Sequence, residues 1–176
     1  MMQTIIPFPV FQVVGYKNTG KTTLMEKLIH HLSNTGIHVG TLKHHGHHSP
    51  LKTVAGTDSF KHSQAGSKVA AVKGTNQLQI MINDSNMGTI KQFISLYTYF
   101  NIDLLLVEGF KKANYPKIVL LKNKNEIHLL KELTNIIAVG VRDEQLIGQL
   151  DYFTFSLSQA DKEIEKLTQI MKMTEK

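Results

Sequence analysis

Residues 15–23 read GYKNTGKTT, from Gly15 to Thr23, between the apolar run PVFQVV and the helix-spaced segment LMEKLIHHL. The pattern G-x-x-x-x-G-K-[ST] predicts a loop that wraps phosphate groups. Glycines let the backbone turn so that successive N–H groups point inward at phosphate oxygens. The helix that follows adds the positive end of its dipole. On this pattern Gly15, Asn18, Thr19, Gly20, Lys21, Thr22 and Thr23 are the candidate nucleotide-binding residues. Lys21 would reach the β- and γ-phosphates, the Thr22 hydroxyl would help hold Mg²⁺, and Thr23 would lie near the α-phosphate.

Such a loop needs a strand before it and a helix after it, and the flanking residues supply both. Residues 10–14 read as a buried first strand. Leu24, Leu28 and Leu32 recur every fourth residue over 21–33, and Gly36 offers a stop. Further along, IHVGTLKH (37–44), IDLLLV (102–107), KIVLL (117–121) and NIIAVG (135–140) read as strands. Continuous apolar runs of this length suit parallel strands covered on both faces. KVAAVKG and QLQIMIN flank Gly74-Thr75-Asn76 and predict a β-hairpin around residues 68–82. Thr57-Asp58 predicts the cap of a short helix through about Ala65. Ile90, Phe93, Ile94 and Tyr97 predict an amphipathic helix after Asp84-Ser85, and Ile164, Leu167 and Ile170 or Met171 a closing helix entered from Ser158. The expectation is an α/β fold of the P-loop NTPase type, with a mostly parallel sheet covered by helices. No repeat or low-complexity linker divides it, so residues 1–176 read as one domain.

Composition narrows the function. The chain has 176 residues, 41% of them hydrophobic, and no apolar run approaches a membrane span. Its start, MMQTIIPFPVF, has neither a basic leader nor a small-residue cleavage site, so no signal peptide is expected, and the lack of cysteine fits a cytoplasmic protein. Cysteine is absent, which excludes disulfides, thiolate metal sites and cysteine nucleophiles. A net charge of +6, almost all from lysine, suits an anionic ligand. There is no arginine-rich tail or basic–aromatic interleaving, so nucleic acid is not the expected partner.

A phosphate loop calls for an acidic residue at the carboxyl end of a neighbouring strand, to orient the metal. Glu108 ends the IDLLLV strand and is assigned that role, catalytic together with Lys21. Asp103 stands at the strand's entrance. Asp58 is a second metal-side candidate, with a helix cap as its competing reading. The run Lys43-His44-His45-Gly46-His47-His48 leaves the second strand near the expected phosphates. It offers imidazole and ammonium donors for anions, ligands for a transition metal, or a solvated loop.

Four stretches in this order, GYKNTGKTTL, TLKHHGHH, GTDSFKHSQAG and DLLLVEGFKKANYPKI, resemble the bacterial molybdopterin-guanine dinucleotide biosynthesis protein B family. The resemblance runs from about Val10 to Leu121 and more loosely to Gly140. It implies a GTP-binding, homodimeric adaptor with weak GTPase activity, using GTP and Mg²⁺. Its implied partners are the molybdenum cofactor guanylyltransferase and the molybdenum-insertion enzyme. It further implies that Lys43 to His48 and Asp58 to Gly66 are loops closing over the site. Lys111, Tyr115 and Lys117 become candidates for anion or partner contacts.

Three residue patterns bear on that expectation. Tyr16 stands where P-loop proteins that dimerise around nucleotides often carry a second lysine. Asn123-Lys124-Asn125-Glu126 imitates the guanine-reading N-K-x-D element with Glu for Asp, and a solvated turn explains it equally well. The sole arginine, Arg142, has no position at the phosphates that the sequence can supply. The alternative reading is a nickel-type metal-insertion GTPase that uses the His44–His48 cluster.

Overall fold

The structure, a computed structural model, describes residues 5–44, 56–83 and 88–174. It divides into two compact units, one of Met1–Gly46 with Ile94–Lys176 and one of His47–Phe93.

The first unit is built on a six-stranded sheet. Its strands are β1 (Val10–Gly15), β2 (Val39–Lys43), β5 (Leu104–Glu108), β6 (Lys117–Leu121), β7 (Ile136–Val141) and β8 (Thr154–Ser156). They lie in the order β2-β5-β1-β6-β7-β8, and every pairing is parallel. Parallel pairing requires crossovers, and crossovers bring helices onto the faces. Helices α1 (Lys21–Asn34) and α5 (Ala160–Met173) share a core with Phe11, Val13, Leu106, Ile118 and Leu120. The alternate residues Val14, Val119, Leu121 and Val139 pack with Leu129 and Leu130 of α4 (His128–Glu132). Both faces are therefore buried, which is why the strands read as unbroken apolar runs rather than alternating ones.

All six strands point the same way, so their carboxyl ends share one edge. The chain moves from β1 to one flank for β2 and β5, then crosses to the other for β6, β7 and β8. Ligands of open α/β sheets bind at such a reversal of strand order. The phosphate-loop sequence leaves β1 at this point.

In the second unit, β3 (Val69–Lys73) pairs antiparallel with β4 (Leu78–Ile82), and the Gly74 N–H donates to the Gln77 carbonyl across the turn. This is the expected hairpin. Ahead of it lies α2 (Asp58–Gln64), capped by the Thr57 hydroxyl, which accepts from the Phe60 N–H. Val69, Leu78 and Ile80 are about half exposed on this ribbon.

Helix α3 (Ile90–Leu96) begins at Ile90, the first residue of the expected spacing. Thr89 and Gln92 form a reciprocal start signal in which the Thr89 N–H donates to Gln92 Oε1. Asp84 and Ser85, expected to precede the helix, lie outside the described residues. The short elements α4 and β8 were not anticipated, because five and three residues are too few to show a period.

Candidate functional site

The loop after β1 has the backbone that phosphate wrapping requires. Asn18 and Gly20 take positive φ angles of 60° and 101°. A Cβ on Gly15 would lie 2.7 Å from the Leu120 carbonyl oxygen, so glycine is needed where the loop passes β6. The Thr19 hydroxyl and the Lys21 ammonium both donate to the Tyr16 carbonyl, at 3.0 and 2.7 Å. The lysine thus folds over the loop's hollow.

On the β5 side, Glu108 is nearly buried at the end of its strand. Its Oε2 accepts from the Thr22 hydroxyl at 3.4 Å and pairs with the Lys43 ammonium at 3.0 Å. Lys43 also donates to the Thr22 hydroxyl at 3.3 Å. The fully buried Gln12, inside the apolar first strand, donates from Nε2 to the Gly109 and Phe110 carbonyls, at 2.9 Å each. Those bonds hold the turn behind Glu108, where Gly109 and Phe110 both take positive φ. Asp103 stands at the opposite end of β5, where its carboxylate accepts from the His38 backbone N–H at 2.7 Å.

The site is strongly cationic. Burial holds the Lys21 ammonium below the usual lysine range, opposed by Glu108 and reinforced by Lys111, Lys43 and Lys122. Lys111 sits over the Tyr16 ring, 3.9 Å from its centre, and burial lowers it too, against Glu126 and Glu132. The Tyr16 hydroxyl is 3.0 Å from His128 Nε2, so the residue after Gly15 is fixed between β5 and α4 loops.

Lys117 does not join this cluster. It is fully buried, and its ammonium donates to the carbonyls of Ala113, Tyr115 and Thr134 at 2.6–3.0 Å. With its three protons so used, it ties the β5–β6 connection to the residues before β7. It is a structural strut and has no donor left for an anion or partner.

His44 packs its ring against Phe110, 4.4 Å between centres. Its N–H donates to the Glu108 carbonyl, which extends the β2–β5 pairing. His45, His47 and His48 lie outside the described residues. Among the described residues no group of three or more His, Cys, Asp or Glu could hold a metal. Asp58, in the second unit, pairs with Lys61 at 3.1 Å while Thr57 caps its helix. In the N-K-N-E segment, Asn123 Oδ1 accepts from the Asn125 N–H and Glu126 Oε2 from the Lys122 N–H. Both groups are engaged in closing a local turn.

The sequence missed Arg142. It directly follows β7, and its guanidinium lies 4.0 Å from where a Cβ on Gly20 would be. It helps line a cleft of about 410 Å³ formed with Thr19, Gly20, Thr23, Leu157 and Ser158. A lone arginine immediately after a buried strand was the available signal, since that position falls on the shared carboxyl edge.

Among the described residues no helix is long and apolar enough to cross a membrane. Residues 10–142 match the family model described as "Molybdopterin guanine dinucleotide synthesis protein B". Over 145 residues the chain is 41% identical to the "Probable molybdopterin-guanine dinucleotide biosynthesis adapter protein" of Bacillus subtilis (strain 168), covering 82% of each. Over 123 residues it is 34% identical to the Escherichia coli (strain K12) "Molybdopterin-guanine dinucleotide biosynthesis adapter protein", covering 69% of each. The crystal structure of Bacillus subtilis MobB superposes with a TM-score of 0.78 at 34% identity, covering 93% of this chain and 98% of that one.

Proposed function

Since the chain belongs to the molybdopterin guanine dinucleotide synthesis protein B family, we propose that it is a GTP-binding adapter of molybdopterin-guanine dinucleotide biosynthesis. It serves a guanylyltransferase and a molybdenum-insertion enzyme as partners, works in the cytoplasm as a homodimer, and hydrolyses GTP only slowly. The observation that carries this reading is the convergence of Lys21, Thr22 and Glu108 at the point where the strand order reverses.

Each residue has a definable task. Backbone N–H groups from Asn18 to Thr23 cradle phosphate oxygens, and Lys21 neutralises the β- and γ-phosphates. Thr22 Oγ1 and Glu108 Oε2 offer the hard oxygen donors that suit Mg²⁺, directly or through water. When bound, Mg²⁺ would supply charge neutralisation across the same phosphates. Lys43 holds the Glu108 oxygen meanwhile and keeps that carboxylate from being an unpaired, nearly buried charge.

Slow hydrolysis follows from what the site contains. The chain's one arginine, Arg142, lines the cleft with Thr19, Gly20, Thr23 and Ser158, and that lining includes neither Lys21 nor Glu108. Turnover without a partner should stay at or below about one per minute, as for unassisted small GTPases. Homodimerisation is supported by the half-exposed apolar residues of the hairpin, because two strands alone are marginal in water.

Calorimetric titration with Mg·GTP and Mg·ATP tests the reading, with Lys21→Ala as control. Selective GTP binding that the substitution abolishes supports it. Equal binding of the two nucleotides would defeat the GTP assignment, and rapid partner-free turnover would defeat the adapter role.

A further inference from the structure

The crossover from β5 to β6 spans residues 109–116 and contains no helix. Parallel strands are usually joined through a helix that packs on the sheet, so this strap is held by other means. Gln12 and Lys117, fully buried at paired positions of β1 and β6, hold it. Gln12 donates to the carbonyls of Gly109 and Phe110, and Lys117 to those of Ala113 and Tyr115. The Ala113 N–H closes back onto the Phe110 carbonyl at 2.8 Å, which puts Lys111 at the first corner of a tight turn. Phe110 takes a φ of 51°, a left-handed conformation that is uncommon for a bulky residue. Such strain persists only where the surroundings enforce it, and it gathers at ligand sites.

The strap fixes the Lys111 side chain. Partly buried just beyond Glu108, its ammonium lies 3.9 Å from the centre of the Tyr16 ring. Tyr16 is itself anchored to His128 through its hydroxyl, and its carbonyl accepts from Lys21. Two ammoniums therefore meet on one residue of the phosphate loop, one on its ring and one on its carbonyl. Of the lysines that oppose the Lys21 charge, Lys111 acts most strongly, and burial disfavours both ammoniums. Among the described residues no carboxylate pairs with Lys111. A ring face is a weaker partner for an ammonium than a phosphate oxygen.

We propose that Lys111 reads the terminal phosphate of the nucleotide, so that a residue outside the phosphate loop tells triphosphate from diphosphate. The inference rests on the nucleotide reading above and assigns its γ-phosphate recognition. The loop N–H groups hold phosphates that GTP and GDP share. Lys111 instead enters from the strap beyond Glu108, on the side where the γ-phosphate and its Mg²⁺ gather.

The test is titration of the full chain with Mg²⁺ complexes of GTP and GDP, for wild type, Lys111→Met, Lys111→Arg and Lys112→Met. Lys111→Met is expected to weaken GTP about tenfold or more, the scale of one hydrogen bond to a charged group. It should leave GDP within about threefold, which also reports that the variant is folded. Lys111→Arg keeps a cation that stacks on the ring and should retain the wild-type ratio of GTP to GDP. Lys112→Met removes the same charge from the next, exposed residue of the turn and should change neither affinity. That separates a contact from an effect of net charge.

Equal weakening of GTP and GDP in Lys111→Met would make the lysine a prop for the loop and overturn the proposal. So would the same loss of GTP affinity in Lys112→Met, or a ratio in Lys111→Arg that matches Lys111→Met. If wild type binds GDP as tightly as GTP, the proposal fails while the phosphate loop stands. Preference for ATP defeats the guanine assignment alone, and Lys111→Met must then weaken ATP and spare ADP or the proposal falls too. If wild type binds no nucleotide, both readings fail.

Discussion

Lys43 and Glu108, on the neighbouring strands β2 and β5, meet at 3.0 Å, and the oxygen Lys43 holds is the one that faces the Thr22 hydroxyl. The carboxylate proposed for Mg²⁺ is thus engaged by an ammonium. A cation arriving there competes with Lys43 for Oε2.

From this competition, Glu108→Gln should weaken nucleotide binding in Mg²⁺ about tenfold and leave binding in EDTA unchanged, since one charged contact is lost. Lys43→Met should lower the Mg²⁺ concentration needed for half-maximal nucleotide binding. Titrations at several Mg²⁺ concentrations read both effects. A Mg²⁺ dependence identical to wild type in Glu108→Gln would remove Glu108 from the metal.

Lys21→Ala should cost roughly 1.5–3 kcal/mol of nucleotide binding, the range for hydrogen bonds to a charged group. The pH dependence has a definite sign. Because burial and three lysines hold the Lys21 ammonium below the usual range, its proton leaves below the ordinary lysine pKa. Nucleotide affinity should therefore decline as pH rises, beginning short of about pH 10. Calorimetry from pH 7 to 10 would show it, and a flat profile would contradict it.

Lys117→Met should destabilise the fold by about 2–5 kcal/mol, because the carbonyls of Ala113, Tyr115 and Thr134 all lose their donor. Urea denaturation gives the size of the loss. Below the unfolding transition, nucleotide affinity should stay at the wild-type level, which separates a strut from a ligand contact.

Asp103 gives an acid-side prediction. Hydrogen bonds from the His38 backbone and side chain, and then the charge of that imidazole, lower the Asp103 pKa. A depressed carboxylate contributes stability above its unfolded pKa of about 4 and loses it as pH falls through the lower folded value. Wild type should accordingly lose stability more steeply than Asp103→Asn below about pH 4. Parallel slopes of urea midpoint against pH would count against this pairing.

Much of this architecture could be read from single residues. The run PVFQVV followed by a G-x-x-x-x-G-K-T loop located β1 and α1, because a strand buried on both faces is apolar throughout. Glu108 was legible as the last residue of a buried strand. Lys117 was not, since nothing in NYPKIVLL says that its ammonium turns inward onto carbonyls from two other segments. The N-K-N-E pattern left base recognition and a turn equally open, because residue types alone do not show that Glu126 accepts from the Lys122 N–H. Arg142 went unplaced for a related reason. Its neighbour, Gly20, is far away in sequence, and only the sheet brings them near.

The sequence by itself determined the phosphate loop, the alternation of strands and helices, and the family likeness, all of which rest on local spacing. Tertiary structure alone decided the strand order and, with it, the division of the site into a Glu108 flank and an Arg142 flank. The physical reason is that parallel strands pair through long crossovers, so which carboxyl ends become neighbours depends on the packing of the whole sheet rather than on any one segment.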